Sequence, residues 1–174
     1  MQDAQKKPRL YLLLGVPGAG KTTAAKLLAQ LTGAVRLSSD EVRLKMFPAP
    51  TFSQEEHNQL YEALNTQADL LLRKGKSVIY DANLNRRQHR LEKYAIGRRA
   101  GAEVRLLWVQ VPEGLARKRA TDPSRHPLIP PNETANQMFE RIAGVIEPPQ
   151  ADERAVTVDG SNINTASLMA VVDL

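Results

Sequence analysis

A chain of 174 residues with 42% hydrophobic content points to one domain, since a chain of this size buries roughly 70% of the surface it exposes when unfolded. It has no run of 18 apolar residues and no cysteine, which excludes a spanning helix and any disulfide or thiolate chemistry. The net charge of +5 is uneven: residues 86 to 125 hold eleven Lys and Arg against four acidic residues, and this local +7 either favours an anionic ligand or forms an ordinary solvated helix face.

Residues 1 to 7 contain no apolar signal region, so a cytoplasmic protein is expected. The apolar run Arg9–Leu14 follows and is long enough for a buried strand. Gly15-Val16-Pro17-Gly18-Ala19-Gly20-Lys21-Thr22 then fits the phosphate-loop pattern Gly-x4-Gly-Lys-[Ser/Thr], the Walker A motif. A helix from about residue 20 to 31 supplies the strand–loop–helix context that the motif needs. Glycines let backbone amides close around phosphate oxygens, and the helix aims its positive end at the same anion. The expected nucleotide cradle is Gly15, Pro17, Gly18, Ala19, Gly20, Lys21, Thr22 and Thr23. Lys21 would reach the β- and γ-phosphates of ATP, and the Thr22 hydroxyl would hold Mg²⁺.

A short strand, Val35–Leu37, runs into Ser38-Ser39-Asp40-Glu41-Val42-Arg43. Ligands of parallel α/β sheets sit beyond the carboxyl ends of strands, so Asp40 is expected near the loop as a catalytic base. Its alternative role is to cap a helix over Glu41–Met46. Ser53-Gln54-Glu55-Glu56 reads as a capping box, with Ser53 accepting a backbone N–H and Glu56 reaching back. The helix that it starts carries Leu60, Leu64, Ala68, Leu71 and Leu72 at helical spacing and ends at Lys74-Gly75. The strand Ser77–Tyr80 leads into Asp81, a Walker B arrangement whose carboxylate can hold Mg²⁺.

A third helix is expected from Arg86 to Arg99, then strands at Val104–Val111 and Ala155–Val158. Alternating strands and helices imply an α/β fold with a parallel sheet. Residues 112 to 150 differ: they hold seven prolines, with short helical stretches, Glu113–Ala120 and Glu133–Ile146, around a proline-rich loop, the lid itself being expected at about 112–147. That loop lacks core-forming residues, which suits a mobile lid over one domain spanning 1–174; a rigid connector is the alternative. His57, His89 and His126 show no metal-ligand spacing and are read as non-catalytic, and Trp108 is read as core. No aromatic stripe accompanies the basic residues, so no groove for stacking a single strand is visible.

Gly-x-Pro-Gly-x-Gly-Lys-Thr, then Ser-Asp-Glu-Val-Arg, then Asp-Ala-Asn-Leu-Asn-Arg-Arg together resemble the polynucleotide 5′-hydroxyl kinase branch of the P-loop kinases. Zeta-toxin, gluconate-kinase and adenylate-kinase-like enzymes are more distant relatives. The similarity covers about residues 9 to 160. It implies a single-domain P-loop NTPase with a five-stranded parallel sheet of order 2-3-1-4-5, helices on both faces, a helical lid, ATP and Mg²⁺. It implies that Asp40 activates the acceptor hydroxyl, that Arg43 contacts the acceptor's phosphate, and that Asp81 and Asn83 shape the acceptor and metal site. It also implies two lid arginines, matched to Arg119 and Arg125, with Arg117 as the alternative to Arg119. The best-matching acceptor is the 5′-hydroxyl of RNA or DNA. A nucleoside, sugar or metabolite kinase and a nucleotide-dependent regulatory ATPase are the alternatives. A GTPase is excluded, because neither Asp-x-x-Gly nor Asn-Lys-x-Asp occurs.

Overall fold

The structure, a computed structural model, describes residues 7–172. In chain order the elements are β1 (Arg9–Leu14), α1 (Lys21–Thr32), β2 (Val35–Ser38), α2 (Ser39–Met46), α3 (Gln54–Arg73), β3 (Val78–Asp81), α4 (Arg87–Arg99), β4 (Glu103–Gln110), α5 (Glu113–Ala120), α6 (Ala135–Ala143), β5 (Val156–Asp159) and α7 (Thr165–Val172). All strand pairs are parallel and the order is β2-β3-β1-β4-β5, as the resemblance implies.

The unbroken apolar run of β1 follows from its place at the centre of this sheet. Successive side chains leave a strand on opposite faces, and both faces here are covered. Leu10, Leu12 and Leu14 meet Leu60, Leu64 and Leu72 of α3 and Ile96 of α4. Tyr11 and Leu13 meet Ala24, Ala25 and Leu28 of α1 and Leu168 and Val172 of α7. Each fully buried leucine contributes about 1.5–3 kcal/mol of transfer free energy, so this strand anchors both halves of the core.

Several expectations need correction. Helix α7 went unread in the sequence. Strand β2 ends at Ser38 and β3 ends at Asp81, and the register sets Ser38 directly beside Asp81. The capping box of α3 is only half formed. Ser53 Oγ accepts from Glu56 N at 3.2 Å, but the Glu56 carboxylate reaches past Ser53 to Thr51 and Phe52 and to the buried Arg43. One carboxylate oxygen meets the buried guanidinium and the other meets two amides further back along the chain, which leaves none for Ser53 N.

The basic segment is not one outward field. Arg90 and Lys93 are buried, and Arg90 forms a two-pronged bond to Glu153 at 2.6 and 3.1 Å. Arg87 pairs with Asp152 at 2.7 Å, and Arg105 with Glu103 at 2.6 Å.

The segment expected to form a lid, too, has a core that its prolines concealed. Phe139 of α6 is fully buried with Ala116 and Ala120 of α5, against Val16 of the glycine loop. Gly18, at φ 77, lies so close to α5 that a Cβ there would strike the carbonyl of Ala116.

Candidate active site

The site is built where β1, β2 and β3 end. Gly20 caps α1 without a side chain, so nothing in the helix competes for its first amides, and no acidic residue stands in its first turn to repel an anion. Lys21 Nζ donates to the carbonyls of Gly15 at 2.7 Å and Val16 at 2.9 Å. On the outer side the loop is pressed by the turn after β5. A Cβ on Gly160 would collide with the Ala19 carbonyl, and the Gly160 carbonyl accepts from Arg119 Nη1 at 2.8 Å.

One cavity of about 440 Å³ is lined by Gly18, Lys21, Thr22, Asp40, Asp81 and Asn83, and also by Arg43, Arg119 and Arg125. Asp40 does not cap α2. Ser38 does, accepting from Glu41 N at 3.4 Å, and Asp40 stands in the first turn of the helix, on the cleft. Asp40 is exposed at the wall of the cleft, where neighbouring protein still displaces part of its water. That desolvation, followed by the charge of Asp81, raises its pKa above the ordinary aspartate value.

Asp81 is buried and shared. Its Oδ2 accepts from Arg36 at 2.9 Å (Nε) and 2.7 Å (Nη2), and its Oδ1 lies 3.5 Å from the Thr22 hydroxyl. Among the described residues no group of three or more His, Cys, Asp or Glu could hold a metal. A hydroxyl and one free carboxylate oxygen fit Mg²⁺, which keeps waters and takes its remaining ligands from phosphates.

The side chains beside Asp40 are equally tied down. Arg43 is buried, ion-paired with Glu56, and lies 4.6 Å above the Phe52 ring. Although desolvation pushes Glu56 upward, hydrogen bonds from Thr51 and Arg43 outweigh it and hold its pKa low. Asn83 Oδ1 accepts from Asn85 N at 3.1 Å, and its carbonyl accepts from the Tyr61 hydroxyl at 3.4 Å.

Of the lid arginines, Arg119 is half-buried and bound to Gly160, whereas Arg125 is 57% exposed with only a 3.8 Å pair to Asp122. Arg117 is occupied by Glu113, Asn136 and Glu140 and lies over the Phe139 ring, bracing α5 against α6.

Sequence reasoning missed four contributors. Arg36 grips the Walker B carboxylate from the neighbouring strand, 45 residues away in sequence. Arg141 of α6 lines the cavity, paired with Glu133. Phe52 and Tyr61 line it as aromatic rings, with His57 beside them. His57 and Tyr61 stand four residues apart on α3, a spacing that could have signalled their pair, whereas Phe52 lies before the helix and carries no such signal.

Residues 10–149 match the AAA_33 family model, an AAA domain. No curated protein matches the chain. Among solved structures, a chain of the Pnkp1/Rnl/Hen1 RNA repair complex superimposes with a TM-score of 0.66 and 19% identity over 83% of this chain and 46% of that one. This chain thus spans less than half the length of that repair-complex chain. A gluconokinase from Sinorhizobium meliloti gives 0.65 and 17% over 96% and 89% of the two chains. The Mycobacterium tuberculosis APS kinase CysC, in complex with AMPPNP and APS, gives 0.55 and 17% over 80% and 97%. At these identities the likeness is one of fold, which agrees with the sheet order and the glycine loop. With the family model covering the glycine loop, both strand-end aspartates and the lid, the chain belongs to the AAA-domain family of P-loop kinases.

Proposed function

We propose that the protein transfers the γ-phosphoryl group of ATP to a hydroxyl acceptor, the 5′-hydroxyl of RNA or DNA. The observation that carries this reading is the sharing of one cavity by Lys21, Thr22, Asp81 and the uncapped carboxylate of Asp40.

In this reading the loop amides from Gly15 to Thr23 wrap the triphosphate, and Lys21 leaves its two carbonyls to neutralise the β- and γ-phosphates. Mg²⁺, when bound, draws charge from those phosphates, with Thr22 and Asp81 Oδ1 as the groups to hold it. Asp40 orients the acceptor hydroxyl and takes its proton as the acceptor oxygen bonds to the γ-phosphorus and the bond to the β–γ bridging oxygen breaks, releasing ADP. The raised pKa of Asp40 suits it to receive that proton. Arg43 holds the acceptor's phosphate, and Asn83 shapes the pocket beside it. Arg119 and Arg125 supply positive charge to the transferring group as the lid over 112–147 closes.

A small-molecule acceptor is the second reading. The gluconokinase and the APS kinase are matched over 89% and 97% of their lengths, a fuller overlap than that with the RNA repair chain.

Asp40→Asn tests the core of the proposal. Nucleotide affinity, read by calorimetry, should be retained, while labelled phosphoryl transfer drops by about 10²–10⁴-fold. Near-normal transfer by this variant would sink the assignment of the base.

A further inference from the structure

One ion pair of the site departs from the usual pattern. A guanidinium beside a carboxylate ordinarily meets it fork to fork, with one nitrogen on each oxygen. Two pairs elsewhere in the chain do so. Arg90 meets Glu153 with Nε on Oε1 at 2.6 Å and Nη2 on Oε2 at 3.1 Å, and Arg141 meets Glu133 with the same two nitrogens at 2.7 and 2.7 Å. Arg36 does not. Its Nε and Nη2 converge on Oδ2 of Asp81, at 2.9 and 2.7 Å, while its Nη1 turns away to Glu41 Oε1 at 2.6 Å. Among the described residues, the hydrogen bond to Oδ1 of Asp81 comes from the Thr22 hydroxyl at 3.5 Å, the limit of such a bond.

The fold produces this arrangement. Paired residues of parallel strands direct their side chains to one face, and successive residues alternate. The register sets Arg36 beside Ile79 and Ser38 beside Asp81, and Ile79 packs on α1. Arg36 and Asp81 therefore share the face that α1 covers, and the guanidinium approaches the carboxylate diagonally from the next strand. Its outer arm is fixed by Glu41, in the first turn of α2. The bond from Arg36 holds the Glu41 carboxyl below its ordinary value, so that arm is an ion pair at neutral pH. The side chains of Arg36 and Asp81 are 14% and 6% exposed, so salt and water do little to screen the contact between them.

A carboxylate with one oxygen committed to a guanidinium has only the other to give to a cation. That restriction matters little to Mg²⁺, which is small, octahedral and keeps most of its shell for water and phosphate. It matters more to Ca²⁺, which is larger, takes more oxygens and accepts both from one carboxylate.

We infer that Arg36 is a positioning residue that confines Asp81 to ligation through one oxygen and so makes the site select Mg²⁺ against Ca²⁺. The inference rests on the proposed phosphoryl transfer and adds the basis of its metal preference.

The test reads metal binding and needs no acceptor. Mn²⁺ is bound to the protein together with a non-hydrolysable ATP analogue, with protein in excess over nucleotide, and is followed by electron paramagnetic resonance as Mg²⁺ or Ca²⁺ displaces it. In the parent, Mg²⁺ should displace Mn²⁺ at a lower concentration than Ca²⁺ does. Arg36→Met frees Oδ2 and should move the ratio of the two midpoints toward Ca²⁺ by about tenfold. Arg36→Lys keeps a donor for Oδ2 and should retain most of the parent ratio. Glu41 is 56% exposed, so Glu41→Ala leaves the fold intact. It releases Nη1, lets the fork turn onto both oxygens of Asp81, and should weaken Mn²⁺ binding by about tenfold with the ratio unchanged. A parent that prefers Ca²⁺, or an Arg36→Met variant with the parent's ratio, overturns the inference. Should Arg36→Met fail to fold, parent-like Mn²⁺ affinity in Glu41→Ala overturns it instead. A shifted ratio in a protein that phosphorylates no hydroxyl acceptor keeps the role of Arg36 and sinks the transfer. A parent that binds no Mn²⁺ beside the nucleotide brings both down.

Discussion

Lys21 is a charge held in an awkward place. Desolvation lowers its pKa to about 8, against the opposing pull of Asp81 and Asp40. Phosphate oxygens would replace the carbonyl dipoles of Gly15 and Val16 with full negative charge and raise that pKa again. The sign follows from linkage. Below about pH 8 the free protein already carries the proton, so binding takes up none; above it, binding must take one from solvent. Calorimetry of ATP binding at about pH 9 in two buffers of different ionisation heat should show uptake approaching one proton, and at about pH 6.5 close to none. Affinity should fall by up to about tenfold per pH unit above that point, and a flat profile would refute the argument. At this scale the sequence was informative wherever a motif was local. The glycine loop and both aspartates are contiguous patterns at strand ends, so their placement followed from general rules of α/β sheets. Arg36 and Glu56 were illegible because each acts on a partner that only the fold brings near: Arg36 on Asp81, and Glu56 on Arg43.

Helices α5 and α6 make up the segment proposed as the lid, and the sequence described them less well than it described the sheet. Strands show as apolar runs because both faces of the sheet are covered, and this reading located all five to within a residue. The lid has no such run. Its core is one phenylalanine and two alanines, which are invisible as a pattern among prolines and charges. Helix α7 escaped notice because its eight residues carry no charge, so no polar face marks a helical period. Phe139 is therefore the point at which the lid can be loosened selectively. Phe139→Ala should remove about 3–5 kcal/mol of local packing. Amide hydrogen exchange should then speed up over α5 and α6, with the five strands little changed. Equal acceleration across the sheet would mean that the lid is no separate unit.

On the scale of the whole molecule, one buried ion pair ties the end of the chain to its middle. Arg90 and Glu153 are 0% and 1% exposed and join α4 to the turn before β5. Burial alone would push the Glu153 carboxyl up. The bonds from Arg90 and from the Gln150 amide outweigh it and hold the carboxyl below its ordinary value. A depressed folded pKa contributes stability above the unfolded value, and that contribution is lost as pH falls through the folded one. Glu153→Gln strands a buried guanidinium and should cost about 3–5 kcal/mol at neutral pH. Thermal melts should show a gap between variant and parent that narrows as the medium is acidified. A gap that stays constant down to about pH 3 would argue against the pair as its source. Among the described residues no helix is long and apolar enough to cross a membrane.

The contact between Gly160 and the Ala19 carbonyl has a bearing on how the molecule comes into being. The phosphate grip is encoded near the start of the chain, but its outer wall is the turn that follows the last strand. A nascent chain on the ribosome therefore carries the glycine motif without the finished cradle until the turn after β5 has been made. The outer wall closes only when β5 docks and sets Gly160 against the loop.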